Sequence, residues 1–269
     1  MSSLPDLQFT ADTQALGRFA SRFRPLARDA EREAWIAHYA ARPHGIWITR
    51  LANYLDALVS SYDVHGLLGT YPMHLLSAAE WGELSAGTRR DSLLDVGAGA
   101  GYVTEGARSH FAQIECSETA RFLRRRLAQR GFTVHARDLS QESLGRSFDV
   151  VSCFNVLDRT ARPLSLLRSL RAHLAPHGRL LLSLPLPVSA HVHVAGGTIS
   201  ASERLPATAR SWERAVCELS EQVIEANGLS IQRIARVPYL SRGDPGQDLY
   251  VLDAALWVAT LPPSPSGEG

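Results

Sequence analysis

From Ser92 onward, short apolar runs alternate with segments whose apolar residues return every third or fourth position. SLLDVG (92–97), AQIEC (112–116), FTVHAR (132–137), FDVVSCFN (148–155) and RLLLSLPLP (179–187) read as strands. IQRIARV (231–237) and the long LYVLDAALWVATL (249–261) complete a set of seven. Residues 100–110, 118–130, 163–174 and 210–226 read as the intervening helices. Near-continuous apolar strands between amphipathic helices predict an α/β fold, a doubly wound, seven-stranded, mostly parallel sheet covered on both faces. In such sheets ligands bind at the carboxyl ends of the strands, near the switch point.

Before this region the period is helical throughout. Segments 13–23, 31–41, 47–61 and 77–84 carry apolar stripes, with Ile48, Leu51, Leu55 and Leu58 along the third. In DVHGLLGTYPMH, Gly66, Gly69 and Pro72 are expected to break any helix, and the loop to turn the chain. The expected division is a helical extension over 1–90 that serves as a lid, an α/β domain over 91–261, and a disordered Pro/Ser/Gly-rich tail over 262–269.

Charge and cysteine content narrow the classes. Lys and Arg total 28 against 27 Asp and Glu, a net charge of +1, which gives no footprint for sequence-independent nucleic-acid binding. The cluster Arg121, Arg124, Arg125, Arg126 is expected to be a solvated helix face. Cys116, Cys153 and Cys217 form no CxxC pair, so neither a disulfide framework nor a zinc site is expected. The opening residues lack the charged and apolar regions of a signal peptide, and no apolar run reaches the length of a membrane span. These features predict a cytoplasmic monomer without nucleic-acid or membrane partners and without a metal.

The chemistry concentrates at the first strand-to-helix junction, Asp95-Val96-Gly97-Ala98-Gly99-Ala100-Gly101. Glycines at 97, 99 and 101 let the backbone approach a ligand, and the following helix offers free N–H groups and a positive dipole end. Dinucleotide-binding domains share the device. Here an acidic residue, Asp95, suits an ammonium group, and the third helix-packing glycine of GxGxxG is absent from its usual place. Both details favour S-adenosylmethionine as the cofactor. Glu115, near the end of the second strand, is placed to accept from both ribose hydroxyls. Asp138 is placed either to accept from an adenine amino group or to cap its own turn. Asn155 ends the fourth strand over the expected reacting end of the cofactor.

LLDVGAGAGYVT, IECSET, FDVVSCFNVLDR, RPLSLLRSLRAHLAPHGRLLLSLPLP, VPYLSRGD and YVLDAALWV together resemble the DREV family, also called methyltransferase-like protein nine. The resemblance runs from about Gly66 to Leu261. It implies a class I Rossmann-like methyltransferase that uses S-adenosylmethionine to modify histidine in His-x-His sequences of protein or peptide substrates, giving Nδ1-methyl (pros, 1-methyl) histidine. It also implies that Asn155 and Asp158 belong to an N-x-x-D-R motif, Tyr239 to P-Y-L and Tyr250 to Y-V-L-D, with Glu115 at the ribose. Where family members carry an acidic residue in the glycine loop, this chain has Ala100, and the region before about Val64 does not match.

Methyl transfer from a sulfonium is an in-line displacement, so positioning of the nucleophile dominates. Nδ1 attacks when the proton sits on Nε2, and Asp158 is expected to accept that proton's hydrogen bond and stabilise the imidazolium, unless it only pairs with Arg159. Asn155 is expected to hold the substrate backbone, a second imidazole or the cofactor carboxylate. Tyr239 is assigned to the cofactor side and Tyr250 to catalysis, though each also fits an ordinary strand aromatic. His191-Val192-His193 has the substrate spacing, but reads more simply as an extended half-buried segment. Two alternatives stay open: methylation of a small imidazole or carboxylate, and a non-catalytic binding module on this fold.

Overall fold

The computed structural model describes residues 7–86, 91–189, 192–194, 197–206 and 211–263. Its helices are α1 (Ala30–Ala40), α2 (Ile46–Leu55), α3 (Ser61–Leu68), α4 (Ala78–Leu84), α5 (Tyr102–Glu105), α6 (Arg121–Gln129), α7 (Pro163–Ala172) and α8 (Trp212–Leu219). Its strands are β1 (Met73–His74), β2 (Ser92–Val96), β3 (Gln113–Ser117), β4 (Thr133–His135), β5 (Phe148–Phe154), β6 (Leu174–Pro185), β7 (Val192–Val194), β8 (Gly197–Ile199), β9 (Ser230–Asp244) and β10 (Gln247–Thr260).

One sheet of eight strands runs β1-β9-β10-β6-β5-β2-β3-β4. Strands β4, β3, β2, β5 and β6 are parallel, whereas β10 is antiparallel to both β6 and β9. The α/β reading holds. The strand count rises by one because β1 is two residues long, too short to leave a pattern in the sequence. β7 and β8 form a separate hairpin. The chain order reverses between β5 and β2, and the switch point lies there.

Alternation along the strands splits the core across the sheet. Leu94, Val96, Val151, Cys153, Leu182 and Trp257 pack on one face against α7 and α8. Their neighbours Leu93, Val150, Leu181 and Leu256 pack on the other against Leu75, Trp81 and Ile36. The second face is covered by the amino-terminal helices. Asp29 caps α1 through the Arg32 amide, and Ser77 with Glu80 forms a capping box on α4. The two helices are locked together by fully buried Arg32, whose Nη2 donates to Glu80 Oε2 at 2.7 Å and Oε1 at 2.9 Å and to the Leu75 carbonyl at 3.1 Å.

The expected break at Gly66 does not occur. Helix α3 runs through it and stops at Gly69, which takes the left-handed conformation at φ 68°. A Cβ on Gly66 would sit 2.6 Å from the backbone nitrogen of Leu123, so this glycine serves close helix approach. Arg126 donates to the carbonyls of Gly66 and Leu67, and Asp63 Oδ1 accepts the Phe122 amide at 3.1 Å. Part of the arginine cluster is therefore a clamp between α3 and α6, not a solvated face. No described helix is long and apolar enough to cross a membrane. His191 and the side chain of His193 lie outside the described residues, as do 264–269 of the tail.

Candidate active site

A cleft of about 730 Å³ opens at the carboxyl ends of β2, β3 and β5, beside the switch point. That volume is typical of a cofactor site. One wall is the glycine junction, with Gly97 and Gly99. Gly99 sits at φ 58°, where L side chains are strained, and a Cβ there would meet only Met73 Cε at 3.7 Å. The glycine keeps a cradle empty. Gly101 does something else: its missing Cβ would lie 2.9 Å from Leu127 Cδ2, so it packs the turn against α6 and does not line the cleft. It fills the helix-packing role that the sequence left unassigned.

Three expected acidic contacts move. Asp95 is fully buried in the sheet and does not reach the cleft. It accepts from Thr104 Oγ1 at 2.5 Å and Ser152 Oγ at 2.7 Å, and burial pushes its carboxyl up to about 6. It ties α5 to the β2–β5 pair. Glu115 also lies outside the cleft lining. Its carboxylate meets His135 Nε2 at 2.7 Å and Arg146 Nη1 at 2.8 Å. The reason is register: Glu115 pairs with Leu94, two positions before the end of both strands.

The carboxylate that does line the cleft is Glu118, the first residue beyond the last β2–β3 pair, Val96 with Ser117. Its oxygens accept the Gly99 amide at 3.0 Å and the Ala120 amide at 2.9 Å. Burial raises it to about 7, against the opposing pull of those amides. Sequence reasoning missed it by stopping one strand end too early in IECSE. Asp138 lines the cleft and caps its own turn too, accepting from the Ser140 amide at 2.9 Å and Gln141 Nε2 at 2.7 Å.

The opposite wall comes from β5, β9, β10 and the segment around α3. Asn155 ends β5 at φ 56°, and Ser183 Oγ donates to its Oδ1 at 2.9 Å. Its carboxamide lies within hydrogen-bonding reach of Tyr239, which also donates to Met73 Sδ. Among the described residues the other non-glycine residue at positive φ is Tyr71, at 54°, and it too lines the cleft. Both of these strained residues, at about 1–3 kcal/mol each, therefore stand at this site. Tyr62, His65 and Tyr250 complete the wall.

Asp158 is placed differently from expectation. It is 4% exposed, and Arg159, not Asp158, faces the cleft. The two are 3.8 Å apart. Of the expected residues, the structure therefore brings together Gly97, Gly99, Asp138, Asn155, Tyr239 and Tyr250, and sets Asp95, Gly101, Glu115 and Asp158 behind the walls.

The model of the DREV methyltransferases matches residues 9–260. The chain belongs to the DREV methyltransferase family. The match takes in α1, α2 and α3, so the helical region before Val64 is part of this DREV unit, contrary to the reading from the sequence. The chain is also 26% identical, over 155 residues, to a ubiquinone biosynthesis O-methyltransferase of Haemophilus ducreyi. That match covers 52% of this chain and 65% of the relative's own length. Among solved structures, the N-methyltransferase NodS of Bradyrhizobium japonicum, in complex with S-adenosyl-L-homocysteine, has a TM-score of 0.47 at 18% identity. It covers 69% of this chain and 85% of its own. The glycopeptide N-methyltransferase MtfA, complexed with S-adenosyl-L-methionine, gives 0.47 and 18%, over 69% of this chain and 87% of its own.

Proposed function

We propose that this DREV member is an S-adenosylmethionine-dependent methyltransferase that methylates histidine Nδ1 in His-x-His sequences of protein or peptide substrates. The observation that supports it most is the facing of two walls across one cleft. A glycine cradle with Glu118 and Asp138 stands on one side, and a polar wall of Asn155, Tyr239 and Tyr250, with Arg159 beside Tyr239, on the other. The first wall suits the cofactor: Glu118 accepts from ribose hydroxyls, Asp138 from the adenine amino group, and the empty space at Gly99 admits the chain between them.

When bound, S-adenosylmethionine supplies an electrophilic methyl group on a sulfonium. The protein's part is to hold a neutral imidazole in line with it. With an ordinary pKa of ~6.5, most of the imidazole is unprotonated at neutral pH, so no strong base is required. With both bound, the Nδ1 lone pair would take the methyl group as the S–C bond broke, and the imidazolium would release its Nε2 proton to solvent. Asn155 has its Oδ1 occupied by Ser183 and one Nδ2 hydrogen within reach of Tyr239, which leaves the second Nδ2 hydrogen to orient substrate or cofactor. Asp158, behind the wall, acts on the site through Arg159.

Mass spectrometry of His-Ala-His peptides incubated with enzyme and labelled cofactor tests this. Label on one imidazole nitrogen, resolved as Nδ1, is the expected result. Transfer to free imidazole or a carboxylate but not to peptide would overturn the substrate. Calorimetry with no cofactor binding would overturn the enzyme itself.

A further inference from the structure

The substrate wall of the cleft is fastened by a carboxylate that is not part of its lining. Asp244 closes β9 at the hairpin into β10. Its Oδ2 accepts from the Tyr250 hydroxyl at 2.9 Å and the Tyr71 hydroxyl at 3.2 Å. Its Oδ1 accepts the Gly246 amide at 2.9 Å, which fixes the plane of the carboxylate.

The two tyrosines come from different parts of the chain. Tyr250 lies on β10, and Tyr71 lies between α3 and β1 in the strained conformation described above. The Tyr71 amide donates to His44 Nε2 at 2.9 Å, and the His44 amide donates to the Gly243 carbonyl at 2.9 Å. Bonds on both sides of Tyr71 therefore run to the same hairpin. A phenol has one proton to give. With both protons directed at Asp244, the faces of the two oxygens turned to the cleft offer lone pairs only.

We propose that Asp244 is a positioning residue that joins the amino-terminal segment to the β9–β10 hairpin and sets the polarity of the substrate rim. By taking both phenolic protons it leaves Tyr71 and Tyr250 as paired acceptors, so the rim selects substrate groups that carry N–H. This deepens the histidine reading and rests on it for the substrate. The peptide beside the reacting ring presents nitrogen donors to this rim.

Asp244→Asn tests the idea, because the amide keeps the size, the Gly246 N–H holds its oxygen, and its Nδ2–H₂ then faces both phenols and turns them around. Expected is a KM for a His-Ala-His peptide raised about ten-fold or more, with kcat and cofactor affinity within about two-fold. In a Tyr71→Phe/Tyr250→Phe background the same change should add nothing. Without any substrate, hydrogen exchange should quicken together in the Tyr71 segment and the hairpin. An unchanged KM, an equal loss in the phenylalanine background, or exchange that changes in the hairpin alone each overturns the proposal. Wild-type protein that binds cofactor but methylates no histidine peptide sinks the functional reading instead, and the exchange measurement still judges the Asp244 bridge.

Discussion

The elevated Glu118 carboxyl makes cofactor binding pH-dependent in a calculable way. Burial takes this group from 4.5 to about 7 in the ligand-free protein. Its raised value means that the proton stabilises the free fold. That contribution is complete below 4.5 and is lost as pH rises through about 7. Ribose hydroxyls donate hydrogen bonds and favour the carboxylate, so binding must expel the proton. If binding returns the group to its ordinary value, the linked free energy is about 3 kcal/mol, and affinity changes by roughly a few hundred-fold in all. The change falls between pH about 7 and 4.5, approaching ten-fold per pH unit, with tighter binding at the higher pH.

Isothermal titration in buffers of different ionisation enthalpy reads the proton directly. Release should be roughly 0.9 proton at pH 6 and roughly 0.1 at pH 8. Glu118→Gln should abolish the release and flatten the profile. Asp95, elevated to about 6, is a second titrating group nearby, but it touches Thr104 and Ser152 and not the cleft, so it contributes to stability and not to the linkage. Affinity independent of pH, with no proton released at pH 6, would refute the assignment of Glu118 to the cofactor.

Other outcomes follow from the same geometry. Glu118→Ala should weaken S-adenosylmethionine binding by about 1.5–3 kcal/mol, roughly ten- to a hundred-fold, whereas Glu115→Ala should leave it within about two-fold. Titration of both variants checks which carboxylate meets the ribose. Gly99→Val should abolish cofactor binding while circular dichroism stays native, since the new side chain is strained at φ 58° and fills the cradle. Asp158→Asn should retain cofactor affinity and lower single-turnover methylation by only about three- to ten-fold, because it reaches the site through Arg159 and not by contact, and rates within about two-fold of wild type would reduce Asp158 to a structural partner of Arg159. Arg32→Ala should destabilise the protein by about 3–5 kcal/mol, because it strands buried Glu80 without its partner. Denaturant unfolding measures it.

Where the sequence succeeded, the signal was local. The apolar strands needed only their own period, and Pro163 and Ser77 mark helix starts by their own chemistry. Gly97 and Gly99 also declare themselves, because the residue type is the constraint. Glu115 on β3 and Glu118 just past its end sit three apart in sequence, and either carboxylate satisfies the pattern. Only the pairing of Ser117 with Val96 shows where β3 ends, and register is a property of two strands at once.

Gly66 was misread for a related reason. A glycine in a helical run looks like a break until a second helix is seen 2.6 Å from where its Cβ would be. The bond from Tyr71 to Asp244 joins residues 173 apart in the chain and has no trace in spacing. Local composition determines which elements form and where backbone must come close to a ligand. Which of several like side chains reaches the cleft depends on register and on segments far apart in sequence, and only the packed chain fixes those.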